Sequence, residues 1–460
     1  MPDLRKRAVR EALTVRVDFN GAMAEGAGGF AGEVLDGLRA RVEGVAAGLV
    51  GQRENGAAAF LGLPQDREVL TAVRTLADSL RGESDTLVVL GAGGAVLGAR
   101  ALVEALGDGS RTVFIADYVD PVAFGRLLDS LELSRTTFLV VSRLGDTPQT
   151  LAQFLLVREL LLRRLGGVDY TRRIVVVTDA EKGALRQIVH DEGFRSLALP
   201  ARLPDHFSVL SAAGLLPAAF AGVRLDELLA GALAMDSRCQ LPDLRANPAH
   251  LLAAVLYLAA TVRGQSLVTL RPYGERLRPL IGWFAQLWAA GLGGTPREAD
   301  GAAGAPVPLG RAAADPHSPL PGRGDPIPLF VRIEDHGREL PVASAYKDIE
   351  SVAYLGGCGL GELLNLEQQC AELALVKRGC PVITISLPQL NPYTLGQILF
   401  LLEIATAVAA GLHQADPFAE ARFDDVSRLI QGRLGREGLE DSAAEVDAYL
   451  AARRAEWILG

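Results

Sequence analysis

Lysine is scarce in this chain, and the positive charge that is present is not clustered. Only four of the 460 residues are lysine, so arginine carries nearly all the positive charge. The formal net charge at pH 7 is −9, and no run of basic residues is longer than a few positions. A nucleic-acid partner requires a basic patch on the protein, so this composition argues against one.

Cysteine is equally sparse. The four cysteines form no C-x-x-C pair and have no metal-ligand spacing to a histidine, so we expect reduced thiols and no metal. The N-terminal residues lack an apolar stretch after their basic positions, which predicts no signal peptide. The apolar stretch 207–223 contains Pro217 and is too short for a membrane span, so we expect a buried helix there. Together these features predict a cytoplasmic protein without a membrane partner.

Two blocks of the sequence alternate short β-branched strands with amphipathic helices. They cover residues 65–240 and 241–415, and such alternation is typical of parallel sheets with helices on both faces. The fold class predicted is therefore α/β, with two doubly wound parallel-sheet subdomains. The sequence pattern predicts an N-terminal helical segment over residues 1–64 and a C-terminal helical tail over residues 416–460. The stretch 293–325 is rich in Gly, Pro and Ala and predicts a loop.

Two loops follow buried strands and precede helices, in a pattern that suits a phosphate. The first is TLVVLGAGGAVLG (86–98), and the second, FLVVSRLGDTPQT (138–150), comes about fifty residues later. A turn of this kind leaves backbone N–H groups free at a helix N-terminus, where they can bind an anion. The glycine spacing is not the G-x-G-x-x-G of a dinucleotide site. The alternative is that the glycines serve tight turning alone, with no ligand.

These two turns resemble the phosphate-binding turns of sugar isomerase (SIS) domains, and of the phosphoglucose isomerase family in particular. Further stretches such as ADPHS (314–318) and PVITISLPQLNPYTLGQILFLLEIATA (381–407) are also similar to that family, especially to the bacterial form fused to transaldolase. The similarity extends over roughly residues 65–430.

The resemblance implies two SIS-like subdomains and the interconversion of glucose 6-phosphate and fructose 6-phosphate, as in glycolysis and gluconeogenesis. It implies a hexose phosphate as ligand, no cofactor and no metal, and a homodimer. The apolar helix near 393–411 is either core or dimer interface, and the resemblance favours the interface. The fused relatives suggest transaldolase or another sugar-phosphate enzyme as a partner.

The catalytic positions that the resemblance implies are mostly altered. The family glutamate that carries a proton between C1 and C2 falls on Ala290, and a lysine of the same motif falls on Gly294. The family arginine falls on His206, and the late lysine falls on Ser427. His317 matches the ring-opening histidine and is the one catalytic position retained.

The positions that the resemblance assigns to phosphate binding are only partly retained. Three positions depart from the pattern: Ala95 replaces a serine, Leu144 replaces a hydroxyl residue, and Asp146 places a carboxylate beside the site. The substrate-binding positions that match are Gly93, Gly94, Ser142, Thr147, Thr150 and Ser208, with Arg143 in place of a lysine.

We therefore expect a diverged member of the family with little or no isomerase activity that still binds a hexose phosphate. A second hypothesis is an active sugar-phosphate isomerase with a relocated base. Asp146, Asp205 and Asp315 are the candidates for that base, because each lies close in sequence to a site position. A third is a scaffold or regulatory partner of a sugar-phosphate enzyme, which predicts a blocked cleft and a large exposed apolar patch.

Overall fold

The structure is a computed structural model that describes residues 3–23, 29–167, 169–265, 267–293, 327–419 and 424–458. Two β-sheets organise the chain, and helices surround them. The N-terminal segment contains α1 (Arg7–Ala12), β1 (Arg16–Asp18), α2 (Asn20–Met23), α3 (Gly32–Asp36) and α4 (Arg39–Glu54). The segment is mainly helical, as predicted, but β1 was not foreseen. It pairs antiparallel with a strand more than 360 residues later in the chain, a contact that no local pattern indicates.

The first sheet has five parallel strands in the order β3-β2-β4-β5-β6. Its elements are α5 (Arg67–Glu83), β2 (Thr86–Leu90), α6 (Gly94–Leu106), β3 (Thr112–Ala116), α7 (Pro121–Asp129), β4 (Thr136–Val141), α8 (Pro148–Leu165), β5 (Ile174–Asp179), α9 (Ala184–Glu192) and β6 (Arg195–Leu199). Every residue of β4 and β5 is buried, as expected for strands covered on both faces. The sequence did not predict β6, because most of its residues are only partly buried and form no continuous apolar run.

The second sheet has four strands in the order β1-β9-β8-β7, of which all but β1 run parallel. The remaining elements are α10 (Ala212–Phe220), α11 (Leu225–Cys239), α12 (Pro248–Arg263), β7 (Val268–Tyr273), α13 (Leu280–Leu292), β8 (Ile327–Asp335), α14 (Glu350–Ala353), α15 (Leu360–Lys377), β9 (Ile383–Gln389), α16 (Pro392–Leu412), α17 (Asp424–Arg433) and α18 (Glu440–Ala451). The α/β fold class and the helical C-terminal tail are confirmed. The predicted loop 293–325 lies, apart from its first residue, outside the described residues.

Helix α16 forms the centre of the core. Asn391 caps its N-terminus by accepting a hydrogen bond from the Thr394 N–H. Gly396 of α16 and Gly231 of α11 lie so close to the opposite backbone that a Cβ at either position would overlap a carbonyl oxygen. Within the part of the chain that the structure describes, α16 is the one helix long and apolar enough to cross a membrane, and 94% of its apolar window is buried inside the protein. Of the two alternatives for this helix, core or dimer interface, burial by neighbouring helices of the same chain assigns it to the core rather than to the favoured interface.

Candidate functional site

A cavity of about 720 Å³ lies at the carboxyl ends of β2 and β4. The chain leaves β2 toward one side of the sheet, to β3, and returns on the other side as β4. At such a switch point the loops after the two strands separate and leave a crevice, which is where open α/β sheets bind ligands. The two glycine-containing turns are these loops, and residues from both of them line the cavity.

The turn after β2 requires glycine for its own geometry. Gly93 has a φ of 54°, a conformation that residues with a Cβ rarely adopt. A Cβ on Gly94 would lie 2.8 Å from the backbone nitrogen of His206. The glycines therefore allow two loops to pack closely, and this holds with or without a bound ligand.

The turn after β4 lines the opposite side of the cavity. The Ser142 Oγ accepts a hydrogen bond of 3.2 Å from the Gly145 N–H, and Gly145 has a φ of 67°. The Arg143 guanidinium donates to the Ala201 carbonyl at 3.4 Å. The predicted binding residues that line the cavity are Gly93, Gly94, Ser142, Arg143 and Thr147. Thr150 and Ser208 are buried nearby but are not among its lining residues, and the phosphate-binding role of all seven stays a prediction.

Helices α6 and α8 direct their N-termini toward these turns. Gly93 is the N-cap of α6, and Thr147 is the N-cap of α8, and neither helix has a side chain that caps its first-turn N–H groups. By contrast, Asp120 caps α7 and Asn247 caps α12. Uncapped N–H groups and the positive end of the helix dipole favour an anion at this place.

His206 cannot supply the positive charge of the family arginine. Its side chain is 5% exposed, and its Nε2–H donates to the Pro417 carbonyl at 3.0 Å. Burial lowers the pKa of the ring from 6.5 to about 4, so the ring is neutral at physiological pH. The residue instead connects the 205–208 turn to the segment before α17. The cations among the described lining residues are Arg143 and Arg202.

We expect the His206 ring to titrate near pH 4 in an NMR experiment. The folded protein then binds this proton less tightly than the unfolded chain does, so the stability from the neutral ring is fully present above pH 6.5 and is lost as the pH falls toward 4. The difference corresponds to roughly 3 kcal/mol of folding free energy. Substituting His206→Gln should remove this part of the acid sensitivity, and a ring that titrates near 6.5 would contradict the burial argument.

The wall formed by α13 presents a methyl group where the resemblance implies a carboxylate. Ala290 lines the cavity and is 8% exposed. Gln286, one turn earlier, also lines it, and its Nε2 lies 3.8 Å from where a Cβ of Gly93 would be. Ser427 of α17 lines the same cavity from the C-terminal segment. Three altered family positions, His206, Ala290 and Ser427, therefore border one cavity.

Three carboxylates from the described part of the chain border this cavity. Asp117, at the end of β3, forms an ion pair of 2.8 Å with Arg100. Asp146 comes from the turn after β4 and Asp205 from the 205–208 turn, and the Asp146 carbonyl accepts a hydrogen bond of 2.6 Å from Gln431 of α17. Among the residues that the structure describes, no group of three or more His, Cys, Asp or Glu side chains could hold a metal ion.

The sequence reasoning missed Asp117, Arg202 and Gln286 as lining residues. Asp117 directly follows a strand whose carboxyl end faces the crevice, and Gln286 precedes Ala290 by one helical turn. Both residues could therefore have been identified as lining residues from the sequence. Arg202 lies in the loop after β6, and no motif of the sequence marks it as a lining residue. Three predicted site residues, Gly294, Asp315 and His317, lie outside the described residues.

Comparisons with known proteins agree on one family. The family model for phosphoglucose isomerase matches residues 69–295. A glucose-6-phosphate isomerase from Rubrobacter xylanophilus is 35% identical over 430 residues, which cover 89% of this chain and 96% of the relative. A hypothetical protein from Thermus thermophilus has a TM-score of 0.80 at 28% identity, over 92% of this chain and 100% of that one. A glucose-6-phosphate isomerase from Chlamydia trachomatis shares the fold with a TM-score of 0.73 at 20% identity, over 86% and 78% of the two chains.

Proposed function

The chain belongs to the phosphoglucose isomerase family, and from this premise we propose that its cleft binds a hexose phosphate while the protein has little or no isomerase activity. One observation carries the proposal: Ala290 borders the same cavity as Gly93 and Ser142. The features that suit a phosphate therefore surround the cavity together with a methyl group in place of the family carboxylate.

The anion-binding part of the proposal rests on the two turns and on two arginines. The uncapped N-termini of α6 and α8 supply backbone donors, and Ser142 and Thr147 supply hydroxyl groups. Arg143 and Arg202 add positive charge to the lining, and a guanidinium binds phosphate through two parallel N–H donors. This combination supports a phosphorylated ligand over a neutral sugar.

The loss of activity follows from the chemistry of proton transfer. Moving a proton between two adjacent carbons requires a base in the cavity, and general acid–base catalysis contributes about 10²- to 10⁴-fold to a rate. The methyl group of Ala290 cannot accept a proton, and the neutral ring of His206 cannot stabilise a developing negative charge as an arginine would. Ser427 provides no cation either.

The second candidate function is an active sugar-phosphate isomerase with a relocated base. Asp146 and Asp205 favour it, because both border the cavity. Asp117 is less suited to the role, since its ion pair with Arg100 stabilises the charged form of the carboxylate. The scaffold hypothesis predicts a blocked cleft, which a cavity of about 720 Å³ does not support.

The decisive experiment combines a thermal-shift titration with a coupled assay of fructose 6-phosphate conversion. We expect 6-phosphogluconate and both sugar phosphates to raise the melting temperature, with roughly 2.7 kcal/mol of stabilisation at a ligand concentration of about 100 times Kd. Gluconate and glucose, which lack the phosphate, are the matched controls and should give no shift. The Arg143→Ala variant should weaken the response.

The assay separates the two candidate functions. Turnover below that of an active relative by a factor of about 100 or more supports the diverged protein. Measurable turnover that Asp146→Asn or Asp205→Asn abolishes would establish the relocated base and overturn the proposal. An absence of any ligand-induced shift would overturn the binding claim.

For partners and location we propose a cytoplasmic homodimer, with a transaldolase or another sugar-phosphate enzyme as a further partner. The cysteines support the location, because all four are free thiols. Large apolar side chains are exposed along residues 340–373, including Tyr346 and Tyr354 at 72% and 75%, and they support a protein partner on that side.

A further inference from the structure

An arginine lies directly before, or at the first residue of, four of the five strands in the first sheet. Arg111, Arg135 and Arg173 directly precede β3, β4 and β5, and Arg195 is the first residue of β6. Because all five strands are parallel, these side chains meet at the amino edge of the sheet. This edge lies roughly 16 Å from the candidate cleft, the length of a five-residue strand.

A second cavity, of about 650 Å³, opens at this edge. Four arginines line it, namely Arg135, Arg172, Arg173 and Arg195, together with Glu83, Thr171 and Gly193. None of these described lining residues carries an aromatic ring. The cavity has the size of a small-molecule site, and its donors are nearly all guanidinium groups.

Hydrogen bonds to the protein hold three of these guanidinium groups in place. Arg173 donates to the Glu83 carbonyl and to the Ser84 hydroxyl, each at 3.0 Å. Arg195 pairs with the Glu83 carboxylate at 3.0 Å, and Arg135 pairs with Asp85 at 2.8 Å. A ligand therefore meets a largely preorganised set of cations, which reduces the entropy cost of binding.

Positive charge is in excess at this edge, although the whole chain is acidic. Five guanidinium groups, those of the four lining arginines and Arg111, face the carboxylates of Glu83, Asp85 and Glu132. Arg172 is exposed, and its side chain has no ion-pair partner among the described residues. The arrangement leaves positive charge, and the donors of the exposed Arg172, for an added anion.

We propose that the amino edge of the first sheet is a second anion site, which binds a small molecule with at least two phosphate groups. Arginine matches phosphate geometry with paired N–H donors, and several forks around one cavity favour a compact polyanion over a single phosphate. The lack of an aromatic ring among the described lining residues argues against recognition of a nucleobase by stacking. This site does not depend on the proposed activity of the cleft.

Isothermal titration with pyrophosphate on the full chain at low salt tests this site. We expect one pyrophosphate to bind at this edge, with orthophosphate binding about tenfold more weakly or worse, because it engages fewer guanidinium forks. Arg172→Ala should weaken pyrophosphate binding by about tenfold or more, because charged hydrogen bonds to the ligand are lost. The variant should fold normally, since this exposed guanidinium makes no bond to the rest of the described structure.

Two further variants show whether binding is specific to this cavity. Arg126→Ala removes one exposed positive charge from α7, away from both cavities, and should leave the affinity unchanged. Arg143→Ala removes a cation of the cleft, so pyrophosphate that still binds to this variant is assigned to the amino edge. In that background, binding that Arg172→Ala leaves unweakened would overturn the proposal, as would the absence of any binding in the Arg143→Ala protein.

Discussion

Substituting Ala290→Glu is expected to raise the rate of fructose 6-phosphate conversion by about 100-fold or more over the unaltered protein, because a positioned carboxylate contributes about 10² to 10⁴ to a rate. The new carboxylate starts from α13 and enters a cavity of about 720 Å³, so it has room to accept a proton there. We expect the lower end of that range, because Ser427 and the neutral His206 leave the other family positions unfilled.

Ala289 offers a matched control for this substitution. It precedes Ala290 in the same helix, and it is not among the lining residues of the cavity. Ala289→Glu adds the same negative charge and the same side chain to α13 but directs them elsewhere, so turnover should stay at the level of the unaltered protein. Equal activity of the two variants, with both folded by circular dichroism, would show that the missing base is not what limits catalysis.

Substituting Glu403→Met is expected to raise the free energy of unfolding by about 1–3 kcal/mol at pH 7. Glu403 lies in the middle of α16 with 0% exposure, and neither carboxyl oxygen has a hydrogen-bond partner in the described structure. Burial raises the pKa of this carboxyl well above its usual value, which favours the protonated form in the folded protein. Methionine has a similar length and removes the cost of burying a polar group without a partner.

The pH dependence of this difference identifies its cause. Because the folded-state pKa is raised, the stability associated with Glu403 is fully present below the ordinary pKa of about 4.3 and is lost as the pH rises above it. The advantage of the methionine variant should therefore grow between pH 4 and pH 7. Urea unfolding of both proteins at several pH values measures this, and contributions from buried histidines cancel in the difference.

Two comparisons complete that experiment. Glu403→Gln keeps a buried polar group but cannot ionise. Its free energy of unfolding relative to the unaltered protein should therefore rise between pH 4 and pH 7, as for the methionine variant, but its total gain at pH 7 should be smaller. Glu437→Met changes an exposed glutamate and should alter the free energy of unfolding by less than about 0.5 kcal/mol. A methionine variant of Glu403 with unchanged stability at pH 7 would mean that the carboxyl group has found a partner, such as a buried water.

The sequence by itself determined the fold class and the location of the candidate site. Short runs rich in β-branched residues, such as TLVVL and TTFLVV, predict buried strands, and the helices that alternate with them predict a parallel sheet. The carboxyl ends of such strands meet at one edge, which brings the turns at Gly93 and Ser142 together. The altered positions at Ala290 and Ser427 could be recognised from the resemblance alone.

Only the tertiary structure decided which side chains are buried and which distant segments meet. It shows α16 as the core of one chain, it pairs β1 with β9, and it places His206 against the carbonyl of Pro417. It also brings the arginines before separate strands to one cavity. The physical reason is the distance along the chain over which each property is decided. Strands and turns depend on neighbours in sequence, whereas burial, pKa and charge density depend on contacts between residues far apart in the chain.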